Sequence, residues 1–199
     1  MGIRTPLRHL LVPASALTLL LSAVPAVAAS PGTASRTYAQ LLPLADLSAQ
    51  RLRTADQVAA AKWGTGGPVD DPARERQVLD AVAARAGELG ADPAATVRIF
   101  RDQIEANKTV QRGLHRRWEV DPSQAPAERP DLAEVREEIN RLNDGLVAAV
   151  AASARARAAR SCGAQLTAGA ARVRHEQRLG ALHTKALVRA LSSVCSRGA

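Results

Sequence analysis

The sequence predicts an all-α protein folded as a single-domain bundle of about five to six helices. Alanine, leucine and arginine dominate, β-branched runs are absent, and no alternating apolar stretch reaches the length of a strand. Caps and breakers then cut the chain into helix-sized pieces: a glycine-rich turn from Gly64 to Pro68, Asp-Pro pairs at Asp71-Pro72 and Asp92-Pro93, and a proline-spaced segment from Asp121 to Pro130.

Residues 1–29 read as a secretory signal peptide, not as part of the fold. Arg4 and Arg8 form a positive head, an apolar stretch runs from Leu10 to Val27, and the small residues of Ala26-Val27-Ala28 place cleavage after Ala28 or Ala29. A retained membrane anchor is disfavoured, because the stretch is short for a bilayer span and is broken by Pro13 and Pro25. The expected location is secreted or periplasmic, with no membrane attachment after cleavage. Residues 30–199 suffice for one domain with a real core and are too few for two large ones. Removing the two signal-peptide arginines takes the formal charge from +8 to 8 − 2 = +6, which favours anionic partners. Nucleic acid is not the expected one: aromatics make up only 2% of residues, and arginines are interspersed with Asp and Glu instead of gathered in a block.

The first helix is expected from about Thr37 to Trp63, with Pro43 marking its first turn or kinking it. Gly64, Gly66, Gly67 and Pro68 end it; lacking a Gly-Lys-Ser/Thr ending and a preceding strand, this stretch is a connector and not a phosphate loop. Asp71 caps a second helix that opens on Pro72 and stops at Gly90. Asp92-Pro93 opens a third, through Ile99, Phe100, Ile104 and Val110 towards Trp118, with Gly113 as a weak point. After the linker, Asp131 and Glu134 give a capping-box signal for a fourth helix reaching about Arg160. One or two more helices fill residues 161–199, a region tied by a disulfide. Cys162 and Cys195 are an even count in an exported chain, and no activating neighbour marks either as a reactive thiol. Closing that loop stabilises the fold by roughly 3–4 kcal/mol in the chain-entropy description.

The chemistry-bearing residues are cations, amides and carboxylates at helical spacings. Arg51 and Lys62, eleven residues apart, sit about three turns plus ~20° from one another, on one helix face and ~16 Å apart along its axis. Asn107 and Gln111, at i and i+4, share a face of the third helix, and Arg74 and Glu75 lie one turn beyond the Asp71 cap. Each alone reads as ordinary helix surface. Together with Arg136 they suit a small dianion. No Gly-x-Ser-x-Gly elbow is present, His115, His175 and His183 lack the spacing of a zinc site, and His9 leaves with the signal peptide. The chemistry implied is one in which the protein holds and polarises a substrate without bonding to it, with neither metal nor other cofactor.

In the order and spacing of its motifs the chain resembles the secreted, gamma-subclass, all-helical chorismate mutases, with a type II-like fold. The resemblance covers nearly the whole mature sequence. It rests on Arg51-Leu52, Asp56-x-Val58-Ala59-Ala60-x-Lys62-Trp63, Asp71-x-x-Arg74, Phe100-x-Asp102-Gln103-Ile104, Asn107-x-x-x-Gln111, Trp118 through Pro122, Ala125-Pro126, Pro130-Asp131-Leu132, Leu142-Asn143, Ser161-Cys162 and Cys195. It implies cofactor-free rearrangement of chorismate to prephenate by a homodimer, with each active site inside one protomer. Lys62, Gln111, Arg74 and Glu75 are then the candidate catalytic residues, and Arg51, Arg136, Asp71 and Asn107 the candidate substrate-binding residues. Other secreted members can carry glutamate where this chain has Gln111. A neutral amide needs no proton to donate, so activity is not expected to rise towards acid pH. The competing expectation is a secreted helical adaptor without catalysis, which would expose Lys62, Arg74 and Gln111 on separate surfaces.

Overall fold

The computed structural model describes residues 1, 2 and 31–195, so the expected signal peptide lies, beyond its first two residues, outside the described residues. The described chain forms α1 (Pro31–Lys62), α2 (Pro72–Glu88), α3 (Pro93–Val120), α4 (Leu132–Ala152), α5 (Ala154–Ala158), α6 (Cys162–Glu176) and α7 (Ala181–Ala190), with a 3-10 turn at Pro122–Gln124 and no strand among the described residues.

The bundle is organised on α1, which contacts α3, α4, α5, α6 and α7. Leu41, Leu44, Ala45, Ser48, Leu52, Ala55 and Ala59 recur at steps of three and four and are all fully buried. The helix begins at Pro31, earlier than the expected Thr37, so Pro43 falls in its interior and not in its first turn. The missing N–H is tolerated because the flanking turns are held by packing on several faces. At the other end Trp63 packs edge-on against Trp118 at 5.4 Å, His115 lies 5.4 Å from the Trp63 ring, and the His115 Nε2 lies 3.0 Å from the Ala59 carbonyl. That cluster pins the last turn of α1 to α3.

The caps act where the sequence places them. The Asp71 side chain accepts from the Arg74 N–H at 3.0 Å, and Gly90 adopts a φ of 69° after the end of α2. Asp92 accepts from Ala94 and Ala95, and Asp131 from Ala133. α3 runs unbroken through Gly113, which is a site of close approach: a Cβ there would lie 2.8 Å from both methyl carbons of Leu182 on α7.

The fourth helix does not reach Arg160 but ends at Ala152. The Ser153 hydroxyl donates to the carbonyls of Ala149 (2.7 Å) and Val150 (3.3 Å), and the Arg157 guanidinium donates to Val150 and, across the fold, to Val194 at 2.9 Å. Carbonyls that would continue the ladder are thus partly taken by side chains, and the single turn α5 follows. This break raises the helix count above the expected five or six and leaves the all-α class unchanged.

Cys162 and Cys195 are disulfide-bonded, with Cα atoms 5.8 Å apart. The C-terminal region docks through α6 on α1 and α7 on α3. Polar ties reinforce it: Asp102, buried on α3, accepts from Ser192 at 2.6 Å and pairs with Arg189 at 2.9 Å, and His183 meets Asp56 of α1 at 2.8 Å.

Candidate active site

Helical periodicity brings four elements to one cavity of about 120 Å³. From α3 come Ile104, Asn107, Lys108 and Gln111, an i, i+3, i+4, i+7 stripe; from α4, Leu132, Arg136 and Ile139; from α1, Arg51, Val58 and Lys62. The start of α2 contributes Asp71, Arg74, Glu75 and Val78, and the connector Val69. All eight residues singled out in the sequence line this cavity, and all come from one chain.

Arg51 is the most constrained of them. It is 4% exposed, its Nε donates to Asn143 Oδ1 at 2.7 Å, and its guanidinium carbon lies 5.8 Å from the centre of the Phe100 ring. Its Nη1 is buried with no hydrogen-bond partner among the described residues. Burial lowers its pKa to about 10, so at neutral pH it is a cation held by a neutral amide. Gln111, 6% exposed, likewise has a buried Oε1 without a partner among the described residues. In an amide side chain the O and N positions interchange by a flip, so this end of Gln111 can present a donor as readily as an acceptor.

Lys62 is half-buried at the C-terminal end of α1, and its Nζ donates to the Pro68 carbonyl at 2.7 Å. Burial, above all, lowers its pKa; Asp71 counters this and Arg136 adds to it. Arg74 is also half-buried, bonded to Gln77 at 3.3 Å and to Asn140 at 3.2 Å. Arg136 is exposed at the rim, and Asn107 donates to the Gln103 carbonyl at 3.1 Å. Asp71 faces the cavity while serving as the cap of α2.

Sequence reasoning missed Lys108 and the anchoring role of Asn143. Lys108 approaches Glu75 at 3.1 Å, Glu105 at 2.6 Å and Asp70 at 3.1 Å. Burial alone would lower its pKa, but hydrogen bonds to these three carboxylates outweigh it and raise the value. The signal was present: Lys108 sits four residues after Ile104 and one after Asn107, within the stripe that also carries Gln111. Asn143 could not be paired with Arg51 without knowing how α4 crosses α1.

Chemically, the cavity offers cations at several sides, two amides on α3 and two carboxylates, with apolar walls from Val58, Val69, Val78, Ile104, Leu132 and Ile139. Such a site can bind a small, polyanionic, partly apolar molecule in one orientation.

Comparison with known proteins agrees with that geometry. Residues 43–112 match the chorismate mutase type II family. The chain is 33% identical over 179 residues to the secreted chorismate mutase of Mycobacterium tuberculosis, spanning 90% of this chain and 87% of that protein. It is 45% identical over 111 residues to the secreted chorismate mutase of Mycolicibacterium smegmatis, a match spanning 56% of this chain and 61% of that protein. The crystal structure of chorismate mutase from Burkholderia phymatum superposes with a TM-score of 0.76 at 37% identity, covering 81% of this chain and 99% of that one. With the tuberculosis relative matched over 87% of its length and the type II family matched over residues 43–112, this chain belongs to the type II chorismate mutase family.

Proposed function

We propose that the chain is an exported chorismate mutase, converting chorismate to prephenate without cofactor or covalent intermediate. One observation carries the reading most directly: a buried arginine held by a neutral amide, Arg51, lies in the same cavity as Lys62, Arg74, Gln111 and Arg136. Chorismate carries two carboxylates and reacts from a compact, chair-like conformer in which the enolpyruvyl end meets the ring. Arg51, Arg74 and Arg136 clamp the carboxylates in that conformer, assisted by Asn107. As the C–O bond breaks, negative charge gathers on the ether oxygen, and Lys62 and Gln111 donate to it more strongly in the transition state than in the ground state. Glu75, with Asp71 nearby, accepts from the ring hydroxyl. An acceleration of about 10⁶ requires roughly 8 kcal/mol, which two directed donors and conformational restriction can supply together.

Export is supported by residues 1–29 as a cleaved signal, by the Cys162–Cys195 disulfide, and by the secreted relatives. The family resemblance implies a homodimer, and a whole site in each protomer is supported by all eight site residues lining one cavity of a single chain. Light scattering on the purified protein tests the assembly.

The deciding experiment purifies the mature, disulfide-intact protein and follows chorismate loss and prephenate gain beside Lys62→Ala. Turnover by the wild type and a fall of roughly 10²–10³ in kcat for the variant support the mechanism. A folded but inert wild type would instead leave the cavity with a binding role.

A further inference from the structure

We propose that Lys108 is a positioning residue of this site, acting through Glu75 by holding its carboxylate in the cavity against the substrate's ring hydroxyl; the proposal rests on the chorismate mutase reading above. The lysine side chain is only 11% exposed, a burial that an ammonium tolerates when it is paired. It is paired beyond what neutralisation requires. Its Nζ meets both Glu75 oxygens at 3.1 and 3.2 Å, as well as Glu105 and Asp70.

Those three carboxylates are not equivalent. Glu105 lies one turn back on the same helix, and Asp70 is already gripped by Arg112, which reaches both of its oxygens at 2.7 Å. Glu75 alone of the three lines the cavity, and it does so from α2, across from the helix that carries Lys108. The Lys108–Glu75 contact is therefore a bridge between two walls of the site. Deleting the cation leaves Glu75 beside Glu105 and Asp70, and repulsion turns it away from the position where it accepts the hydroxyl proton's hydrogen bond.

The test compares two substrates: chorismate, and an analogue lacking the ring hydroxyl. Lys108→Met is expected to lower kcat/KM for chorismate roughly tenfold and that for the analogue less than twofold, because the analogue never uses Glu75. Lys108→Arg, which keeps the cation, recovers most of the chorismate activity. Joined to Glu75→Gln, Lys108→Met adds little further loss, since both changes remove one interaction. Equal losses on both substrates, or multiplying losses in the double variant, overturn the proposal and make Lys108 a purely structural ion pair; so does an unchanged kcat/KM for chorismate. Should Lys108→Met fail to fold, Lys108→Gln combined with Glu105→Gln removes the cation with its nearest carboxylate and carries the same comparison. A wild type inert on both substrates is a separate result, and removes the catalytic reading itself.

Discussion

Arg51 shows how a single residue can be a burden to the fold and an asset to the site. Its pKa is lowered to about 10 by burial, so between there and its unfolded value the unfolded chain binds more protons, and stability rises with pH across that window. Below it the buried charge is a standing cost, which an anionic ligand relieves. A transition-state analogue of the rearrangement is therefore expected to raise the thermal midpoint of the wild type, and Arg51→Met is expected to abolish that rise; differential scanning fluorimetry reads both. Lys62 gives a second expectation. Its pKa is lowered chiefly by burial, so kcat/KM falls on the alkaline side at a pH below the ordinary lysine value of about 10.4. Gln111→Glu tests the donor on α3: a carboxyl donates only when protonated, so the variant's kcat is expected to climb as pH falls, whereas the wild type's does not. The polar residues were legible because charge and amide chemistry at i+3, i+4 and i+11 spacings can be read in one dimension. Lys108 stands in the same legible stripe, but its pairing with Glu75 on another helix is not written there, and Asn143 was hidden by a separation of 92 residues from Arg51.

At the scale of elements, Asp71, Asp92 and Asp131 set helix starts that the sequence could announce, since a cap is a local interaction. Gly113 and the break after Ala152 depended on tertiary context. The first is a gap filled by Leu182 of another helix, and at the second the local bonds from Ser153 to carbonyls of its own helix are joined by Arg157 reaching Val194 across the fold, a partner that the local pattern does not show. Gly113→Val is expected to destabilise the fold by about 1–3 kcal/mol, because the added methyls meet the Leu182 side chain on α7. Combining it with Leu182→Ala should restore part of that loss, an outcome that helix propensity alone would not produce. Guanidinium unfolding of the four proteins measures the coupling.

For the whole molecule, the four helices that build the cavity and the region that carries the disulfide are separate in sequence yet share α1 and α3 as common ground. Replacing Cys162 and Cys195 by serine is accordingly expected to lower unfolding free energy by about 3–4 kcal/mol while leaving kcat/KM within twofold at moderate temperature; denaturant titration and steady-state kinetics separate the two effects. That arrangement also orders the protein's making. Every cavity residue lies between positions 51 and 139, whereas the second cysteine comes only at position 195. The cavity lining is thus fully synthesised before the C-terminal disulfide can close, and a chain cut short after α4 would carry every candidate site residue yet neither cysteine.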